Sequence, residues 1–425
     1  MILNYKVSNF ALFNEQIELD MRKRKGEKNN ANCINFNHDK ILKSSIIYGA
    51  NNSGKSKFLK SIAVLRDIVK KGNLDNFNFD IYANFLHEER KPIEFEVEFY
   101  DIETDCNYVY GLEIHGANDI VEYYLKDTDM IFYNSSNEKE TSNRLNDLEK
   151  DILNRLSEGI LFFSNYTKFI KKYNKVFEPL QRFFKKIRYV DFSFSDPTKT
   201  LMYLQLEKEI LSDSTYSSLY NTLIRSADIS LDGKVYIEEA IPSSNGKVND
   251  VSLNLIEDLQ RIQSLYTKYS GDNINKASIF FDSIGTQRFS RIIIEVIGAL
   301  KENRILLIDE IDNSLHYKLV NEIIHFIHNY KDSNAQFLMT SHDVKLIDSS
   351  LFRKEQINII SRTKDNVELY SLAEFKSNSD VDLRPNANFE KFYTEGKFGG
   401  IPDPNFYDAI KAYEETLQKK FDKKN

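Results

Sequence analysis

The sequence predicts an α/β fold: a mixed sheet with flanking helices, an antiparallel β portion and a mostly helical insertion. Three observations predict it. Short apolar runs such as Ser45-Ile46-Ile47-Tyr48 and Ile305–Ile308 lack alternation, as strands buried on both faces do. Segments 93–99 and 108–114 alternate strictly, as half-buried antiparallel strands do. From about 140 to 275 the dominant period becomes helical.

Each element follows in order. Leu3, Tyr5 and Val7 share one face of a first strand, and Ile17 and Leu19 mark a second after a short turn. Phe58, Ile62, Leu65 and Val69 recur at helical spacing, so Lys55 to about Lys70 reads as an amphipathic helix. Ile93, Phe95, Val97 and Phe99, then Tyr108, Tyr110, Leu112 and Ile114, form a β-meander. Leu145, Leu148, Ile152 and Leu156 begin a helical series reaching about 230, followed by a hairpin at KVYIEEAIP and a helix near 252–268. A helix after Arg288, a strand at Ile305–Ile308, a helix near 316–330 and a strand at Gln336–Met339 complete the α/β part. One strand, a loop and a final helix are expected after His342. The chain divides into 1–139, an insertion at 140–275, and 276–425.

Composition sets bounds. At 425 residues the chain is long enough for two or three sub-domains with a well-buried core. A net charge of −7 supplies no global field for nucleic acid, although a local basic groove is compatible with it. No run of about 18 apolar residues is present, and MILNYKVSNF has no signal-peptide pattern, so no membrane association and a cytoplasmic location are expected. Cys33 and Cys106 make neither a disulfide framework nor a zinc knuckle.

The chemistry concentrates at Gly49, Ala50, Asn51, Asn52, Ser53, Gly54, Lys55 and Ser56, which match G-x-x-x-x-G-K-[ST] at every fixed position. Glycines let successive N–H groups curl into an anion nest, and a following helix adds its positive end. Lys55 is placed for the β- and γ-phosphates and the Ser56 hydroxyl for Mg²⁺. The strand Ile305–Ile308 ends in Asp309-Glu310; Asp309 is the expected magnesium ligand and Glu310 the base that polarises water. The next apolar strand ends in Thr340-Ser341-His342 and brings His342 to the same sheet edge as a γ-phosphate sensor. Asp282-Ser283-Ile284-Gly285-Thr286-Gln287-Arg288 opens an apolar helix about twenty residues before the Asp-Glu strand; alone, such a Ser-x-Gly is an ordinary N-cap.

The order P-loop, Ser-x-Gly helix, Asp-Glu strand and His strand resembles the ABC-type ATPase head shared by SMC, RecF and OLD-type proteins. The resemblance implies ATP and Mg²⁺ as cofactors, and closure of Ser283 and Gly285 on the ATP of a second copy, as a homodimer or larger homo-oligomer. It places Asn313-Ser314-Leu315-His316 at the D-loop. The glutamine that such heads carry after the P-loop helix is missing between Gln16 and Gln181; Asn84, His87 and Glu88 are the open substitutes.

The opening MILNYKVSNFALFNEQIELD, the blocks DSIGTQRF, LLIDEIDNSLH and MTSHD, and the tail DLRPNANFEKFYTEGKFGGIP resemble the prokaryotic AAA-15/AAA-21 group, with RloA- and AbiL-type members. That resemblance implies a defence ATPase acting with a separately encoded effector, a nuclease or RloB-like protein. An OLD-type TOPRIM nuclease would need a longer, acid-clustered stretch than 343–425 offers. The alternatives are a RecF/SMC-like DNA-repair ATPase, and a slow or non-hydrolysing scaffold clamped by ATP. His325 and His328 lack a third ligand for zinc. Lys171, Lys172, Lys175, Lys185, Lys186 and Arg188, set among aromatics, read as a charged helix face or a surface for nucleic acid or a partner.

Overall fold

The computed structural model describes all residues except 27–28, 37–38, 75–76, 85–90, 117, 170–173, 192–196, 228–234, 240–261, 271–272, 279–282, 364–365, 376–387, 402–405 and 423–425. The first part contains β1 (Ile2–Ser8), β2 (Ile17–Asp20), β3 (Cys33–Phe36), β4 (Asp39–Leu42), β5 (Ser44–Tyr48), α1 (Lys55–Lys71) and α2 (Phe79–Tyr82). The meander follows as β6 (Ile93–Asp101), β7 (Cys106–Ile114), β8 (Ile120–Lys126), β9 (Asp129–Asn134) and β10 (Lys139–Thr141). Next come α3 (Asp147–Asn154), α4 (Phe162–Phe169), α5 (Glu178–Lys186), β11 (Ile187–Val190), α6 (Pro197–Ser212) and α7 (Ser214–Ser226). Then follow β12 (Val235–Glu239), β13 (Ile262–Ser270), β14 (Asn273–Ser278), α8 (Ile284–Glu302), β15 (Ile305–Ile308), α9 (Tyr317–Asn329) and β16 (Gln336–Thr340). The chain ends with β17 (Ile357–Arg362), β18 (Val367–Ser371), α10 (Phe389–Thr394) and α11 (Phe406–Asp422).

Two large sheets organise these elements. An antiparallel sheet runs β10-β9-β8-β7-β6-β1-β2, and a mixed sheet runs β11-β15-β16-β5-β17-β18. In the mixed sheet only β18 is antiparallel to its neighbour. Its strands alternate between two cores with the period of a strand. Ile47, Ile305, Leu307, Leu338 and Ile360 pack with α1 and the antiparallel sheet. Ile46, Tyr48, Leu306, Ile308, Phe337 and Met339 pack on the other face with α8 and α9. Strands so placed take apolar residues at successive positions, as at Ile46-Ile47-Tyr48 and Ile305–Ile308, which is why the sequence shows runs there. Gln336, fully buried, joins the sheets: its Oε1 accepts from the Ile2 amide at 2.6 Å and its Nε2 donates to the Ile2 carbonyl at 3.0 Å.

Three expectations are corrected. Residues 262–268, expected as helix, lie in β13, and 252–261 are outside the described residues. Leu259, Ile262 and Tyr266 do share helical spacing, but β12 and β14 pair with the segment and its Tyr and Thr residues suit extended backbone. The strand at Val235–Glu239 pairs with 262–266 rather than closing a local hairpin. Among the described residues two strands, not one, follow His342. Within 140–275, β11 is the edge strand of the mixed sheet, paired in parallel with β15.

Glu122 on β8 is fully buried beneath α4. Its Oε1 accepts from Tyr110 Oη at 2.9 Å, and its Oε2 from the Phe162 amide at 2.5 Å, at the start of that helix. Burial raises its pKa to about 7, against the opposing hydrogen bonds from Tyr110, Phe162 and Phe163. The folded state therefore holds this proton more tightly than the unfolded chain does. Stability from this group is full below pH 4.5 and falls as pH rises towards 7, by on the order of 3 kcal/mol. Urea unfolding of wild type and Glu122→Gln checks this: the advantage of the variant grows by about that amount between pH 5 and 8, and a pH-independent difference refutes it.

Candidate functional site

β5 ends at Tyr48 and the chain turns through 49–54 into α1. Gly49 (φ +156°), Asn52 (φ +60°) and Gly54 (φ +115°) give the turn its concave backbone. It fits tightly against its own protein: a Cβ on Gly49 would sit 2.5 Å from the Ile360 carbonyl oxygen, and one on Gly54 2.7 Å from the Phe13 ring. With Gly54 as N-cap, no side chain caps α1, which leaves its first amides to an anion. Ser53 Oγ is buried and has no hydrogen-bond partner among the described residues. Arg362 Nη1 donates to the Asn52 carbonyl at 3.3 Å and steadies the exposed part of the loop, where Asn51 also lies.

Lys55 is 5 % exposed and folds back, its Nζ donating to the carbonyls of Gly49 at 2.7 Å and Ala50 at 3.0 Å. Burial draws its pKa below the ordinary lysine value, with Asp309, Glu310 and Asp312 opposing the shift. The four side chains thus share one electrostatic environment. Ser56, one residue on, is half-buried at the head of α1.

Asp309 is held from two sides. Thr340 Oγ1 donates to its Oδ1 at 2.6 Å, and Tyr189 Oη to its Oδ2 at 3.4 Å. Burial, then the negative charge of Asp309, pushes the Tyr189 phenol well above its ordinary range, so it stays a proton donor. Glu310 has φ +51°, a left-handed conformation uncommon for this residue. Three contacts fix it: its amide donates to Thr340 Oγ1 at 2.7 Å, Arg288 Nη2 donates to its carbonyl at 2.6 Å, and Asn313 Nδ2 donates to its Oε2 at 3.0 Å. His342 Nε2 lies 3.9 Å from Glu310 Oε1, and the His342 amide donates to the Asp312 carboxylate at 3.1 Å. Burial lowers the basicity of Arg288, partly offset by Glu310, Asp312 and Asp309.

Ser283 is the N-cap of α8, its exposed Oγ accepting from the Thr286 amide at 3.2 Å. Gly285 approaches residues 313–316, where an added Cβ would lie 2.9 Å from the Ser314 carbonyl oxygen. The fold therefore gathers Lys55, Asp309, Glu310 and His342 at one end of the mixed sheet, and sets Gly285 beside Ser314. Asp282, His87 and Glu88 lie outside the described residues; the amide of Asn84 donates to the Asn9 carbonyl at 2.9 Å. His328 is buried, Nε2 2.7 Å from Ser44 Oγ, and burial lowers its pKa to about 3.

Thr340, Tyr189 and Arg288 are the residues that sequence reasoning missed. Thr340 sits in the quoted MTSHD block, and its strand-end position was the available signal. The other two announce themselves only through tertiary contacts.

This donor set fits a magnesium-bound polyphosphate. The turn offers uncapped amides and an orphaned buried hydroxyl, Lys55 is a desolvated cation, and Asp309 is a carboxylate oriented by two hydroxyls.

A family model described as "AAA domain, putative AbiEii toxin, Type IV TA system" matches residues 44–348, from the first residue of β5 through the whole constellation. Among solved structures, an Smc head bound to the C-winged helix domain of ScpA is similar at 13 % identity and TM-score 0.45, covering 87 % of this chain and 97 % of that one. The SMC head domain from Thermotoga maritima is similar at 12 % identity and TM-score 0.41, with coverages of 87 % and 98 %. An Smc head with an extended coiled coil, bound to the C-terminal domain of ScpA derived from Pyrococcus furiosus, gives 13 %, 0.42, 87 % and 96 %. No curated protein matches the chain.

Proposed function

Since the chain belongs to this AAA-domain family, we propose that it is an ATP-hydrolysing switch: two copies close head-to-tail on ATP, and hydrolysis reopens them. The switch regulates a separately encoded effector in bacterial anti-phage defence. The observation carrying the reading is the meeting of Lys55, Asp309, Glu310 and His342 at the carboxyl ends of β15 and β16 and the head of α1.

In this reading the α1 amides and the turn bind the β- and γ-phosphates, and Lys55 Nζ exchanges the Gly49 and Ala50 carbonyls for phosphate oxygens. Ser56 and Asp309 would hold Mg²⁺, which when bound neutralises charge developing on the phosphates. Glu310 orients and deprotonates the attacking water; Asn313, Arg288 and Thr340 hold its carboxylate and backbone in place. His342, whose Nε2 lies 3.9 Å from Glu310 Oε1, is assigned the role of sensing whether the γ-phosphate is present. Exposure of Ser283, with Gly285 set against Ser314, leaves that motif free to reach the ATP of a second copy. The family's description as a toxin of a type IV system supports the defence setting. No described helix is long and apolar enough to cross a membrane.

Phosphate release from Mg-ATP by the full chain tests the enzymatic core. Turnover in wild type that disappears in Lys55→Ala supports it; equal release by both assigns the activity elsewhere and contradicts it.

A further inference from the structure

A cleft of about 740 Å³ opens beside α1. Its walls are α1, the free edge of β11, α6 and α8. Among the described residues, seven Lys and Arg side chains line it against three carboxylates, on a chain whose net charge is −7. Arg66, Arg188 and Arg304 are already paired, to Asp67, Glu295 and Glu302. Lys60, Lys70 and Lys185 make no ion pair among the described residues. Partial desolvation and the proximity of Arg66 and Arg304 draw Lys70 below its ordinary pKa, against the opposing charge of Asp67. An anion bound among them would relieve that crowding of cations.

The remaining lining narrows the anion. Tyr189 lines the cleft with a ring that stacks on no other among the described residues, whereas Tyr82 lies stacked on Phe10 and Phe77, and the buried Tyr203 is covered by Arg291, 4.6 Å from its ring centre. A row of cations beside one open ring and a guanidinium plane suits phosphates alternating with flat bases, because both can stack with a base of any sequence. An acidic peptide offers carboxylates without that regular alternation of flat rings. Lys60 and Lys70 lie ten residues apart on α1, about 15 Å along its axis, a row and not a point site. Tyr189 also touches the first site, since it lines this cleft and donates its hydroxyl to Asp309.

We propose that this cleft binds the phosphodiester backbone of a single nucleic-acid strand, and that Tyr189 couples its occupancy to Asp309. The coupling rests on the reading of Asp309 given above; the binding does not.

The test uses fluorescence anisotropy of a labelled 12-nucleotide oligothymidylate with the full chain, with and without Mg-ATP. Lys60→Glu/Lys70→Glu changes two exposed side chains, and Lys25→Glu/Lys331→Glu gives the same change in net charge outside the cleft. Affinity is expected to fall at least about 30-fold in the first pair and less than about 3-fold in the second. The slope of log K against log salt should be roughly −2 to −3, for three or four phosphate contacts. Mg-ATP should shift wild-type affinity several-fold and leave Tyr189→Phe unshifted. A phosphorylated dinucleotide that competes as well as the 12-mer overturns the strand and assigns the cleft a small free ligand. No binding by wild type, equal losses in the two charge-reversed pairs, or equal competition by hexaglutamate overturns the site. Binding that ignores Mg-ATP in wild type overturns the coupling. Affinity without ATP is read independently of any ATP chemistry, so failure of the cleft and failure of the switch give different patterns.

Discussion

Glu310→Gln is expected to keep ATP affinity within about three-fold of wild type and to slow phosphate release by roughly two to four orders of magnitude, the range for loss of a general base. The substitution is nearly isosteric, and the Asn313 amide still finds an oxygen to donate to. The backbone contacts from Thr340 and Arg288 do not involve the side chain, so the left-handed conformation at 310 survives. What disappears is a carboxylate able to take a proton from water, and with it the chemical step alone. Mant-ATP binding and phosphate release measured on one preparation separate the two. A variant that hydrolyses at the wild-type rate assigns the base elsewhere.

Gly54→Ala should abolish ATP binding and destabilise the protein by about 2–6 kcal/mol, the sum of backbone strain and overpacking. At φ +115° an alanine is strained wherever its Cβ points, and here it points at the Phe13 ring, 2.7 Å away. Phe13 is fully buried and makes an edge contact with Phe58 of α1, so the ring has no room to retreat. Adding Phe13→Leu should recover part of the packing loss and none of the strain, leaving ATP binding impaired. Urea unfolding and mant-ATP titration of both variants check this. Wild-type stability in Gly54→Ala would show that the turn relaxes freely.

What the sequence made legible follows from where the determining forces act. The phosphate turn, Asp309, Glu310 and His342 are set by local spacing and by strands whose burial on both faces demands apolar runs, so each could be read from residues close together. β11 could not. Ile187-Arg188-Tyr189-Val190 is four residues long, follows α5 without a break, and owes its strand geometry to Ile305–Ile308, more than a hundred residues away. Tyr189 was hidden with it. Arg288 looked like one more position of a helix, and its bond to the Glu310 carbonyl exists only once α8 packs against the end of β15. At 262–270, pairing with two neighbouring strands outweighed a helical spacing of apolar residues. The basic segment near 171–188 was read as a choice between a charged helix face and a binding surface. Of it, Lys185 and Arg188 line the cleft beside α1, while Lys171 and Lys172 lie outside the described residues.

The central claim is that ATP drives two copies of this chain together, and the solution mass of Glu310→Gln tests it most directly. Light scattering coupled to size exclusion, with and without Mg-ATP, should show this variant moving to twice its ATP-free mass and staying there. Adding Ser283→Arg, which places a charged side chain on the exposed face meant to meet the partner's ATP, should prevent the move. An unchanged mass in Glu310→Gln at saturating ATP, with ATP shown to be bound, would contradict head closure.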